Sequence, residues 1–135
     1  MRIKRFQGVE IPVPNGSTLT KFFFADQPQL RNAHIEAIQF YNINATPYSI
    51  LSGSASVTDA DASKSYLTLY QGDLQLIYQL PIVAISNIVK STGAYVFDLP
   101  GMNDQDISWT KSYVSLPTAL ATTNVAYSFG IYYYM

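Results

Sequence analysis

Residues 125–135, VAYSFGIYYYM, constrain this chain more than any other stretch. The odd positions Val125, Tyr127, Phe129, Ile131, Tyr133 and Met135 are all large and apolar or aromatic. The even positions Ala126, Ser128 and Gly130 are small, and Tyr132 and Tyr134 are large again. Successive side chains of a strand point to opposite faces. The stretch therefore predicts a strand with one core-facing side and a second side that changes character near its end. Chain ends are usually solvated unless something ties them down, so this segment is expected to be built into a sheet. Three adjacent tyrosines cannot all share one face. The surplus rings, Tyr132 and Tyr134, predict cover by another element or another subunit, because exposed aromatic patches mark interaction sites.

The rest of the chain agrees with a β reading. Strand-like segments recur between turn residues. They are RIKRF and VEIPV near the start, residues 19–25 (LTKFFFA), residues 65–70 (SYLTLY), residues 74–80 (LQLIYQL) and residues 94–99 (AYVFDL). Pro12 and Pro14 confine VEIPV to an edge or a connector, since proline donates nothing to a ladder. Gln71-Gly72-Asp73 between two apolar runs predicts a hairpin. Residues 30–42 (LRNAHIEAIQFYN) fit a helical face as well as an alternating strand. Their β neighbours decide for strand, with His34, Glu36, Ile38 and Phe40 on one side and Ile35, Ala37 and Tyr41 on the other. Residues 47–57 read as a strand interrupted at Gly53, and residues 58–64 (TDADASK) as a polar loop. Residues 81–91 read as a crossing segment with a turn of helix. Residues 106–116 (DISWTKSYVSL) read as another strand, in which Ile107, Trp109 and Tyr113 fall out of phase with Val114 and Leu116, which predicts a bulge or a strand covered on both faces. Residues 117–124 are a linker.

The count is about eight strands in a single domain spanning 1–135, with 1–18 as an extended N-terminal segment. One tight hairpin and several long crossings suit two packed antiparallel sheets, an eight-stranded jelly-roll β-sandwich of all-β class. Composition agrees. Charged residues are 13% of the chain, about half the usual share. Only Glu10 and Glu36 supply Glu, and eleven tyrosines exceed what one core of this size needs. Tyrosine is enriched at protein–protein contacts.

Charge narrows the function classes. A net charge of −1, with Arg2, Lys4 and Arg5 as the one basic cluster, gives no footprint for a nucleic-acid binder. There is no cysteine, so no disulfide or thiolate metal site is expected. No apolar run reaches the length of a membrane-spanning helix, and residues 1–14 lack the apolar stretch of a signal peptide. His34 is the single histidine. No nucleophile motif such as G-x-S-x-G accompanies it, and no phosphate loop or dinucleotide fingerprint is present. The expectation is a protein without catalytic residues or cofactor, in which His34 lies at a surface or subunit contact. Asp59 with Asp61, and Asn103 with Asp104 and Asp106, are loop oxygen groups. The complete EF-hand spacing is absent, so both read as solvated loop acids with no metal expected, the second set being the better calcium candidate of the two.

Four stretches carry a resemblance: LRNAHIEAIQFYN, SYLTLYQGDLQLIYQLPI, DISWTKSYVSL and AYSFGIYYYM. In their order the chain resembles the single jelly-roll proteins of icosahedral virions, in particular the coat and vertex (penton) proteins of tailless phages. The resemblance spans most of the chain after Leu19. It implies two four-stranded sheets, a last strand in the middle of its sheet, and a structural role in the virion. The short basic start and the modest length point to a minor or vertex subunit. The expected partners are further copies of the chain in a cyclic homo-oligomer such as a pentamer, and other shell proteins, with residues 58–64 and 100–106 setting contacts. Tyr132, Tyr134 and His34 are the expected interface residues. The alternative is a β-sandwich module that binds carbohydrate or a receptor. A cupin-like enzyme would need several metal-ligating histidines, and the chain has one.

Overall fold

The computed structural model describes residues 3–41, 56–86, 95–96 and 107–134, the pair 95–96 by backbone alone. Its strands are β1 (Lys4–Val13), β2 (Lys21–Phe23), β3 (His34–Tyr41), β4 (Tyr66–Gln71), β5 (Leu74–Pro81), β6 (Tyr95–Val96), β7 (Tyr113–Ser115) and β8 (Val125–Tyr134), with one short helix, α1 (Asp59–Ala62). They form two antiparallel sheets. The first has the order β1-β8-β3 with the two-residue β6 at its edge, and the second has the order β2-β7-β4-β5. The class is all-β and sandwich-like.

The alternation in β8 is realised as expected. Val125, Tyr127, Phe129, Ile131 and Tyr133 all face the core. β8 is the central strand of its sheet, paired along its whole length with β1 and from Ser128 to Tyr134 with β3. Met135 lies outside the described residues. The opposing sheet contributes Phe22, Leu67, Leu69, Ile77 and Val114 to the same core. Aromatic pairs cross between the sheets, Phe22 with Tyr127 at 6.1 Å and Phe24 with Phe129 at 5.4 Å between ring centroids. Such tilted and edge-on pairs add a modest amount beyond area burial.

RIKRF and VEIPV merge into the single ten-residue β1. It occupies an edge, which is where Pro12 is tolerated. The hairpin between β4 and β5 forms as expected around Gly72, whose φ of +58° is a left-handed conformation natural to glycine. β2 is shorter than residues 19–25, because Phe24 leaves the ladder while its N–H still donates to the Ser112 carbonyl.

Three expectations are corrected. Strict alternation in β3 fails at a bulge between Ile35 and Ala37. Ile35, Ile38 and Phe40 therefore enter the core together. His34, Glu36, Gln39 and Tyr41 stay partly outside or on the far face, so Ile38 and Phe40 do not share a side with His34. Residues 58–64 are not an open loop. Thr58 caps α1 by accepting from the Asp61 N–H at 3.3 Å, and Asp61 and Ala62 are buried. The phase change in residues 106–116 is a 3₁₀ turn, Trp109–Lys111, followed by the short β7. The turn lets Trp109 reach Phe24 in the core while Tyr113 faces outward. Residues 82–85 form the expected helical turn. The expected strand at 47–57 lies outside the described residues except for Ser56 and Val57, and of residues 94–99 only β6 is described.

Candidate functional site

The outer face of the first sheet is where the sequence places its surplus aromatics. Tyr132 sits on β8 between Phe6 of β1 and Ala37 of β3. Its hydroxyl lies 2.7 Å from that of Tyr41 and 3.3 Å from Gln39 Oε1. If Tyr132 donates to Gln39, its oxygen is left to accept from Tyr41, so a directed chain runs from Tyr41 through Tyr132 to Gln39. Burial, then this hydrogen bond, raises the Tyr41 hydroxyl above the ordinary phenol range. Phe6 closes over the pair edge-on, 5.3 Å from Tyr132 and 6.1 Å from Tyr41. The Lys4 ammonium stands 5.8 Å from the centre of the Tyr132 ring and bonds Glu36 Oε1 at 3.3 Å.

Gly130 makes this cluster possible. A Cβ at that position would fall 2.5 Å from Phe6 Cε2 and 2.6 Å from Tyr41 Cε2. The glycine is the floor on which two rings rest. Tyr134 and His34 face each other at the end of the same sheet as register partners, with ring centres 6.4 Å apart. Glu36 Oε2 is buried there with no hydrogen-bond partner among the described residues. The three residues singled out from the sequence, Tyr132, Tyr134 and His34, thus come together on adjacent strands. Tyr132 is half-buried by its own sheet neighbours. Phe6 is 43% exposed on the same face.

The sequence reading missed Phe6, Gln39 and Tyr41 as members of the cluster. The available signal was the small residue at Gly130 on an otherwise aromatic strand, which marks a close approach.

The second sheet carries an outer aromatic face of its own. Phe23 and Tyr113 are cross-strand partners with rings edge-on at 5.5 Å, and Tyr70 lies 6.4 Å from Tyr113. Lys21 reaches over this group, its ammonium 4.3 Å from the Tyr113 ring centre. Beside them opens a cleft of about 400 Å³ lined by Lys21, Phe23, Tyr70, Asp73, Lys111 and Tyr113. The alternating KFF of β2 was the sequence signal for it.

No group of three potential metal ligands forms among the described residues. Asp61, half of one proposed acidic pair, is buried and accepts the backbone N–H groups of Ala121 and Thr122 at 3.2 and 3.3 Å. Its carboxylate is used in tying residues 117–124 to α1. Asn103, Asp104 and Asp106 lie outside the described residues, as does the whole contact loop 100–106. No helix among the described residues is long and apolar enough to cross a membrane.

These features define an all-β, sandwich-like protein with an aromatic outer surface on each sheet. Comparison with protein-family models, curated proteins and solved structures finds no match for the chain.

Proposed function

We propose that this chain is a structural virion protein, a single eight-stranded jelly roll that serves as a minor or vertex (penton) or coat subunit. The observation that carries the reading is the strand order. Numbered along the chain, the sheets run 1-8-3-6 and 2-7-4-5. Every step from one strand to the next crosses between the two sheets, except the β4–β5 hairpin within the second, as two nested Greek keys require. The last strand is central, which agrees with what the resemblance implies.

The outer faces support an assembly role. On the first sheet Tyr134 faces His34, the 43%-exposed Phe6 lies over Tyr132 and Tyr41, and Glu36 Oε2 is buried with no hydrogen-bond partner among the described residues. A neighbouring subunit can cover the rings and supply the missing donor. The chain as a whole is only 13% charged, which limits the desolvation cost of burying its surface. Head-to-tail contacts of this kind close into rings, which gives a cyclic homo-oligomer that also touches other shell proteins. The reading assigns no catalytic residue and no cofactor, and it places the protein in the virion.

The test is light scattering on size-exclusion fractions of the purified protein and of the variant Phe6→Ser/Tyr134→Ser. A discrete oligomer that the variant dissociates, with circular dichroism unchanged, is the expected result. A wild-type monomer at high concentration overturns the assembly reading. A β-sandwich binding module then becomes the better account.

A further inference from the structure

We propose that the cleft on the outer face of the second sheet is a binding site for a pyranose that carries a carboxylate. The proposal stands apart from the assembly reading, because it concerns the opposite sheet.

Three charged side chains line the cleft, Lys21, Asp73 and Lys111. Asp73 and Lys111 are paired at 3.2 Å. Lys21 has no ion pair among the described residues. It is held instead by rings, 4.3 Å from the centre of Tyr113 and 5.9 Å from that of Phe23. Cation–π contact positions an ammonium without using its N–H donors. The cleft therefore presents one net positive charge whose donors remain open to an anion. One net positive charge matches the single negative charge of a carboxylate and leaves the larger charge of a phosphate monoester incompletely balanced.

Shape and apolar surface give the rest of the ligand. Phe23 and Tyr113 meet edge-on at 5.5 Å, which makes a corner of two ring planes. Phe23 is 52% exposed. A pyranose has a C–H face that packs on such rings and a rim of hydroxyls that needs polar partners. Those partners are at hand. The Tyr113 and Thr110 hydroxyls line the cleft and make no hydrogen bond among the described residues. Tyr70 accepts from Gln75 Nε2 at 3.0 Å, so its own proton is free to donate. A volume of about 400 Å³ lies at the small end of ligand sites and suits one or two sugar rings. The floor is preformed: the Gly72 N–H donates to Ser108 Oγ at 2.8 Å and the Tyr70 N–H to Ser112 Oγ at 3.1 Å, which fixes the hairpin against the 3₁₀ turn.

The test uses the purified full chain and three probes: trigalacturonic acid, N-acetylneuraminic acid and the neutral galactotriose. Amide shifts in nuclear magnetic resonance titrations report site and affinity. The expected result is saturable shifts at residues 21–23, 72–73 and 110–113 with at least one acidic probe, and binding at least about tenfold weaker for the neutral one. Which acidic probe binds tells a uronic acid from a sialic acid. Lys21→Gln, a change at an exposed position, should weaken the acidic probe about tenfold while leaving the rest of the spectrum in place. Absence of shifts with both acidic probes overturns the proposal. So does equal binding of the neutral trisaccharide, or unchanged affinity in Lys21→Gln.

Discussion

The hydroxyls of Tyr127 and Ser65 meet at 2.8 Å in the buried space between the two sheets. Ser65 Oγ also donates to the Asp61 carbonyl at 2.8 Å. The serine has one proton, so Tyr127 is the donor in the pair. One hydrogen bond thus links the central strand of the first sheet to the start of β4 in the second.

Removing either partner leaves a different orphan. Ser65→Ala strands a buried phenolic O–H, while the Asp61 carbonyl keeps the Lys64 N–H at 3.1 Å, and should cost about 1–3 kcal/mol. Tyr127→Phe leaves only an acceptor lone pair on Ser65, and should cost about 1 kcal/mol. A double-mutant cycle by urea unfolding should show the double variant less destabilised than the sum of the singles. Strict additivity would mean that the two hydroxyls do not interact.

Stability should fall at alkaline pH through the buried tyrosines. Burial, with a smaller contribution from the Asp61 charge, pushes the Tyr127 hydroxyl up to about 12. The folded value lies above the unfolded value of about 10. The contribution is therefore complete below pH 10 and is lost as pH rises from about 10 towards 12. Tyr41, shifted in the same direction, adds to the effect. Thermal midpoints measured from pH 8 to 12 should fall in that window, and Tyr127→Phe should flatten the slope.

Asp61 should matter to the linker before β8 more than its place in a polar segment suggests. Its two carboxylate oxygens accept the N–H groups of Ala121 and Thr122. Bonds from backbone donors to a buried carboxylate are charge-assisted and stronger than neutral ones. Asp61→Ala should destabilise the fold by about 2–4 kcal/mol. Hydrogen exchange should accelerate at those two amides first, and equal exchange rates in the variant would contradict the tie.

Gly130→Ala should disturb the outer cluster through sterics alone, since the backbone there is ordinary strand. The added methyl meets Phe6 and Tyr41 at under 3 Å. Phe6 is partly exposed and can swing away, whereas Tyr41 is held by Tyr132. A loss of about 1–2 kcal/mol is expected by chemical denaturation. In a Phe6→Ala background the same substitution should cost less. An equal cost in both backgrounds would show that Phe6 is not the obstacle.

Much of the fold was legible because it is local. The period of two in β8 and the glycine turn between β4 and β5 are written in consecutive residues, and both appear as read. Residues 58–64 were misread because a single capped turn is too short to show a helical period. The β3 alternation failed for a similar reason: a bulge changes the phase of a strand through its partner's register. In residues 106–116 the phase change was visible, but its cause, a 3₁₀ turn that sends Trp109 to Phe24, was not.

The candidate surfaces show the same division. Alternation alone determined that Tyr133 would face the core and that Tyr132 and Tyr134 would lie on the other side. Only the tertiary structure decided what meets them there. Tyr132 bonds to Tyr41, 91 residues earlier, and Tyr134 faces His34 because β3 and β8 are neighbours. Lys21 comes to rest on Tyr113 because β2 pairs with β7. A side chain's direction follows from backbone geometry within a few residues. Its neighbours follow from strand order, which the whole chain settles through the burial of one shared core.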